Sequence, residues 1–194
     1  MKINAIIPVK SLARGKTRLA GFLDDADRTE LNAAFLDRAL ALAAVFPGLN
    51  NTIVVSADDL VLDIARSRGA VALSETGEGL NPALTQAMAV ARGNRARAVL
   101  VMPTDLPLAT AEDLLALATT DHGMAIAADR RGVGTNALCV PTSEDFAFRF
   151  GNGSFVAHID EARISGLNAH IAHCPNLAFD IDTPDDYRQW RAMA

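Results

Sequence analysis

Short runs rich in β-branched residues alternate with helix-length amphipathic stretches along almost the whole chain. "INAIIPV", "TIVVSA", "AVAL", "AVLVM", "GMAIAA" and "NALCV" read as strands. Between and after them lie helical patterns. "TELNAAFLDRALALAAVF" repeats apolar residues at helical spacing, with Asp27 and Glu30 placed like a capping box. "DDLVLDIARSRG" ends at Gly69, and "NPALTQAMAVARG" starts with Asn81 as cap and Pro82 in its first turn. Thr110 caps the next helix, and "SFVAHIDEARISG" and "DTPDDYRQW" supply the last two. Strand-helix alternation implies an α/β fold with a mostly parallel sheet covered by helices on both faces. Ligands of such sheets bind beyond the carboxyl ends of the strands, so the loops after the strands should carry the chemistry.

The 194 residues suit a single domain spanning 1–194, long enough to bury a core. A net charge of −5 argues against a nucleic-acid coat. The two cysteines, Cys139 and Cys174, give neither a disulfide framework nor zinc spacing, and a cytoplasmic location is expected. No apolar stretch approaches the ~20 residues of a membrane span, so no membrane partner is expected.

"VKSLARGKTRLA" follows the first strand and ends like a Walker A motif in Gly15-Lys16-Thr17. That motif needs a glycine five residues before Gly15, where this chain has Lys10. Without it the backbone cannot wrap phosphate in the Walker manner. What remains is Lys10, Arg14, Lys16 and Arg18 within nine residues, a cationic loop suited to a polyphosphate. In "PTDLPL", Asp105 stands at the end of a buried strand, well placed for a divalent cation. In "FDIDTPDD", an extended backbone puts Asp180 and Asp182 on one face, roughly 6–7 Å apart. Two such carboxylates repel unless a cation lies between them. Asp185 and Asp186 are assigned to the dipole of the following helix.

Three loops are less specific. Gly132 and Gly134 in "DRRGVGTNAL" can form an anion nest or a plain hairpin, with the Thr135 hydroxyl beside it. Gly151 and Gly153 lead to Ser154, which either caps a helix or opens its free N–H groups to an anion. Glu75 in "SETGEGLN" could accept from the N1–H and 2-amino group of guanine, with Asn81 nearby. His158 reads as a structural histidine. Cations for a triphosphate, three aspartates for a metal and two glycine loops for anions suit nucleotidyl transfer. An acceptor phosphate attacks the α-phosphorus of a nucleoside triphosphate and pyrophosphate leaves. The nucleophile is already an anion, so no general base is needed.

"PVKSLARGKTRLA", "GLNPAL", "PTDLPL", "DRRGVGTNAL", "FGNGSF" and "FDIDTPDD", in this order, resemble the guanylyltransferase family of coenzyme F420 biosynthesis over nearly the whole chain. The resemblance implies a Rossmann-like (GT-A-type) nucleotidyltransferase fold. It also implies GTP, Mg²⁺ and transfer of GMP to a phosphorylated three-carbon acid: 2-phospho-L-lactate, phosphoenolpyruvate or 3-phospho-D-glycerate. It places metal binding on Asp105, Asp180 and Asp182, acceptor binding on Thr135, Gly151 and Ser154, and the triphosphate on Lys10, Lys16 and Arg18. Lys16 and Asp105 are the expected catalytic pair, and Glu75 and Asn81 the expected base-side contacts. Val133 and Tyr187 depart from the threonine and leucine common in the family. A homodimer and coupling to the next enzyme of the pathway are compatible with the resemblance. Two alternatives stand beside it: a nucleotidyltransferase for a sugar phosphate, isoprenoid precursor or molybdopterin, and a non-catalytic nucleotide-binding regulator.

Overall fold

The computed structural model describes residues 2–118 and 123–193. Its strands are β1 (Ile3–Pro8), β2 (Thr52–Ser56), β3 (Val71–Ser74), β4 (Ala98–Val101), β5 (Gly123–Ala128), β6 (Thr135–Pro141) and β7 (Asn168–Ile171). They form one sheet in the order β3-β2-β1-β4-β6-β5-β7. Only β6 runs against the rest, antiparallel to both β4 and β5. The chain steps outward from β1 to β3, then crosses back to β4 on the other side of β1. That reversal opens a crevice at the carboxyl ends of β1 and β4.

Side chains alternate across the sheet and feed two cores. Ile7, Val54, Leu100 and Met102 pack with α1 (Asp25–Val45), α2 (Asp59–Ser67) and α4 (Ala111–Ala118) on one face. Ile6, Ile53, Val55, Val99 and Val101 pack with α3 (Leu80–Gly93) and α5 (Ser154–Ile164) on the other. Both faces are apolar, which is why these strands read as continuous hydrophobic runs.

A third, smaller core positions the site. Leu19 and Ile181, both fully buried, meet Leu31 and Phe35 of α1 and Phe179. Tyr187 and Trp190 of α7 (Pro184–Arg191) pack against them. Burying each aliphatic side chain contributes ~1.5–3 kcal/mol. This cluster binds the end of the first loop to the acidic segment, two pieces of chain about 160 residues apart in sequence.

Several local expectations are corrected. Helix α1 begins at Asp25, and its cap is Asp24, whose carboxylate accepts from Asp27 N–H at 2.8 Å. Asp27 is therefore inside the first turn. Helix α3 starts at Leu80 after Gly79, which holds φ 100°, so Asn81 is not a cap. The four-residue α6 (Pro175–Ala178) was not anticipated, and the extended stretch around His170 is β7, an exposed edge strand on β5. None of the helices among the described residues is long and apolar enough to cross a membrane.

Candidate active site

The cationic loop is stitched down from behind. Gly15 faces Asn32 of α1 so closely that a Cβ there would lie 2.6 Å from Asn32 Nδ2. Asn32 Nδ2 donates to Leu12 O at 2.7 Å, and buried Arg28 donates to Gly15 O at 3.2 Å. A side chain at residue 15 would displace the Asn32 amide from its hydrogen bond to Leu12 O. Lys16 follows at φ 53°, a left-handed conformation that costs a residue with a Cβ about 1–2 kcal/mol. Its ammonium is held by two carboxylates: Nζ lies 2.5 Å from Asp105 Oδ2 and 3.2 Å from Asp182 Oδ1. Arg18 takes the other oxygen of Asp182 at 2.9 Å. Burial alone would lower the Lys16 pKa, but the charges of Asp105 and then Asp182 outweigh it and raise it.

The acidic segment has no ladder of its own, yet it alternates as expected. Ile181 N–H donates to Asp105 O at 3.1 Å and its side chain enters the third core, while Asp180 and Asp182 line the cleft. Asp186 holds this register. Its carboxylate accepts from the Asp182 and Thr183 N–H groups and completes a capping box on α7. Arg130, stacked 4.2 Å over Phe179, pairs with Asp186 from the β5–β6 hairpin. The Asp186 pKa is lowered: burial would raise it, but the Thr183 hydroxyl, backbone N–H groups and Arg130 prevail.

Asp180 is the unbalanced group. Burial and then the Asp105 charge raise its pKa, with Asp182 adding to them and the Asn136 hydrogen bond opposing them. Asn136 Nδ2 reaches Asp180 Oδ1 at 3.3 Å and also donates to the Leu177 and Ala178 carbonyls. Thr135 and Asn136 are consecutive, yet both face the cleft. The pairing of β5 with β6 shifts register there, Ala127 opposing Ala137 and Ala128 opposing Thr135, so Asn136 is the extra residue of a bulge. The oxygen-only donor set of Asp105, Asp180 and Asp182 suits a hard divalent cation in charge and chemistry. Among the described residues no three acidic, histidine or cysteine side chains already converge on one point, and Lys16 supplies the positive charge between two of them.

Two cavities meet at this cluster. The larger, about 760 Å³, is lined by Lys10, Arg14, Lys16, Arg18, Glu75, Asp105 and Asp182. The smaller, about 170 Å³, is lined by Thr135, Asn136, Phe150 and Asp180, and it shares Asp105 and Asp182 with the first. The expected nucleotide-side residues other than Asn81 therefore gather on one side, and Thr135 and Asp180 on the other.

Asn81 lines neither cavity. Its amide is spent on Phe150, donating to the carbonyl at 3.0 Å and accepting from the N–H at 2.8 Å. Gly151, which is exposed, and Ser154, which stands behind the wall, line neither cavity either. Ser154 is 2% exposed, and its hydroxyl lies 3.2 Å from Thr135 Oγ1. The Ser154 and Phe155 N–H groups are bonded to Gly151 O and Val133 O, so the first turn of α5 offers fewer free donors than expected. The Gly132–Gly134 turn is a hairpin whose N–H at Val133 is already filled by the Asp129 carboxylate at 2.8 Å. His158 is fully buried between Thr135 and the Arg149 N–H, as a structural histidine should be. Asn136, Asn32 and Arg28 were missed. A polar residue inside an otherwise apolar strand was the available signal for Asn136.

The sheet order and the crevice at its switch point belong to a fold seen in solved proteins. A solved nucleotidyl transferase from Methanothermobacter thermautotrophicus shares the fold, with a TM-score of 0.68 at 16% identity over 99% of this chain and 97% of its own. Residues 3–190 match the family described as guanylyl transferase CofC like, and the chain belongs to that family of guanylyltransferases. It is similar to the phosphoenolpyruvate guanylyltransferase of Rubrobacter xylanophilus, 37% identical over 99% of this chain and 95% of that protein. It is similar also to the 2-phospho-L-lactate guanylyltransferase of M. thermautotrophicus, 38% identical over 96% of this chain and 82% of that protein.

Proposed function

We propose that this enzyme transfers GMP from GTP to the phosphate of a phosphorylated three-carbon acid, releasing pyrophosphate, within coenzyme F420 biosynthesis. The observation that carries the reading is the pair of cavities that share Asp105 and Asp182. GTP occupies the larger one, with Lys10, Lys16 and Arg18 on its phosphates and Glu75 at the base. The acid occupies the smaller one, where the Thr135 hydroxyl offers a neutral donor to its anionic groups. At about 170 Å³ this cavity is small beside the other, in keeping with a small acid as its occupant. The candidates are phosphoenolpyruvate, 2-phospho-L-lactate and 3-phospho-D-glycerate, and the names of the similar proteins favour the first two.

The seam between the cavities is where an acceptor oxygen meets the α-phosphorus. Lys16 leaves the carboxylates for the triphosphate as charge builds on the departing pyrophosphate. Asp105, Asp180 and Asp182 would hold Mg²⁺, which supplies Lewis-acid neutralisation of the phosphates when bound. The acceptor phosphate needs no base, so the remaining work is alignment, worth up to ~7–11 kcal/mol in well-oriented systems. The test is pyrophosphate release from GTP and Mg²⁺ with each acid supplied in turn. One of the three acids should support turnover, and release that is independent of all three would refute the reading. In the same assay Glu75→Gln should narrow the preference for GTP over ATP. An unchanged preference would remove Glu75 from base recognition.

A further inference from the structure

Behind the smaller cavity lies a chain of buried polar groups that the proposed chemistry does not use. His158 is fully buried. Its Nε2 lies 2.9 Å from the Arg149 backbone N–H, a group that can only donate. Nε2 therefore carries a lone pair. Burial foremost, and Arg149 secondarily, holds the ring's pKa down at about 4, against the opposing effects of Glu161 and the Ser154 carbonyl. The ring is neutral at pH 7, and its single proton must sit on Nδ1. Nδ1 lies 3.0 Å from Thr135 Oγ1, so Thr135 accepts there. Ser154 Oγ donates to the same Thr135 oxygen at 3.2 Å. With both lone pairs of Thr135 occupied, its own O–H points elsewhere, and Thr135 lines the smaller cavity while Ser154 does not.

We propose that His158 is a positioning residue for the acceptor. As a fixed Nδ1–H donor, it bars the Thr135 hydroxyl from donating to the ring and leaves it to donate into the cavity, where an anionic oxygen of the acid accepts. This rests on the proposed function, which puts the acid there. It would also give Ser154, expected from the resemblance to serve the acceptor, a part from behind the wall, through its contact with the Thr135 oxygen.

His158 has a second task that must be separated from this one. The segment 146–150 has no strand partners among the described residues, and side chains satisfy three of its N–H groups: Glu161 at Ala147, His158 at Arg149 and Asn81 at Phe150. Phe146 and Phe150 also pack on the imidazole. Two substitutions divide the tasks. In His158→Asn the amide overlays the Nδ1 side of the ring, keeping a donor for Thr135 and losing the acceptor for Arg149. In His158→Gln the amide reaches the Nε2 side, keeping the Arg149 contact and losing the donor.

The experiment measures KM for the acid and for GTP in both variants, with ¹⁵N NMR of the His158 ring in the wild type. His158→Gln should raise the acid KM roughly tenfold, about the value of one hydrogen bond to a charged group, while His158→Asn stays within about threefold. The GTP KM should not move in either. The ring should show a protonated Nδ1 and a bare Nε2. Equal effects of the two substitutions, the reverse ranking, or a proton on Nε2 would overturn the proposal while leaving the guanylyltransferase reading intact. Failure of the wild type to turn over any of the acids would instead overturn that reading and this inference with it.

Discussion

Asp180 is the residue that the folded chain holds at a loss. Burial and the neighbouring Asp105 raise its pKa, and the long Asn136 contact and a backbone N–H do not offset them. Lys16, which could neutralise it, is engaged by Asp105 and Asp182. A carboxylate left in this state fits the cation-binding role proposed for Asp180 better than a structural one. Asp180→Asn should therefore raise the urea midpoint of the ligand-free protein at pH 7, because the amide oxygen can still accept from Asn136. The same substitution should lower turnover ~10²-fold or more. A variant that is less stable and equally active would contradict this account. The sequence showed which aspartates belong together, because their two-residue spacing around Ile181 survives without a regular strand. It did not show that Lys16 would sit among them, since a contact across 89 positions leaves no local trace.

Elements meet at this site through the third core. Leu19 fastens the 3-10 turn of Thr17–Leu19, and Ile181 fastens the acidic segment, to one apolar cluster. Leu19→Ala should cost ~2–5 kcal/mol of stability through the lost burial and the cavity left behind. It should also raise the GTP KM, because Lys16 and Arg18 stand on the loop that Leu19 anchors. A destabilised variant with an unaltered GTP KM would show that the loop is held elsewhere. These links were illegible in the sequence for physical reasons. Leu19 reads as one more apolar residue, and the bulge that turns Thr135 and Asn136 toward the same cavity arises from a register shift between β5 and β6. Asn81 misled as a cap because the glycine before α3 takes that position in a conformation open to few other residues.

Across the whole molecule, the parallel sheet and its two-sided core were readable from strand-helix alternation, since strands covered on both faces must be apolar throughout. The pH response belongs to this scale too. His158 has a folded pKa of about 4 against 6.5 for the free side chain. The unfolded chain thus binds the proton more readily, and the stability contributed by the neutral ring is fully present above pH 6.5. It is lost as pH falls toward about 4, up to roughly 3 kcal/mol. Asp186, with its lowered pKa, adds a loss in the same direction at lower pH, and Asp180, with its raised pKa, works against both. Urea unfolding followed from pH 7 to pH 4 should show this decline, and His158→Asn should flatten it. Parallel curves for the two proteins would remove His158 from the acid response.

The account turns on which phosphorus of GTP is attacked where the two cavities join. ³¹P NMR of a reaction containing GTP, Mg²⁺ and phosphoenolpyruvate, then 2-phospho-L-lactate and 3-phospho-D-glycerate, reads this directly. The account predicts a new pair of coupled diphosphate resonances joining GMP to the acid, with one pyrophosphate released for each. GDP with a newly phosphorylated acid or free phosphate would mean attack at the γ-phosphorus and would contradict it.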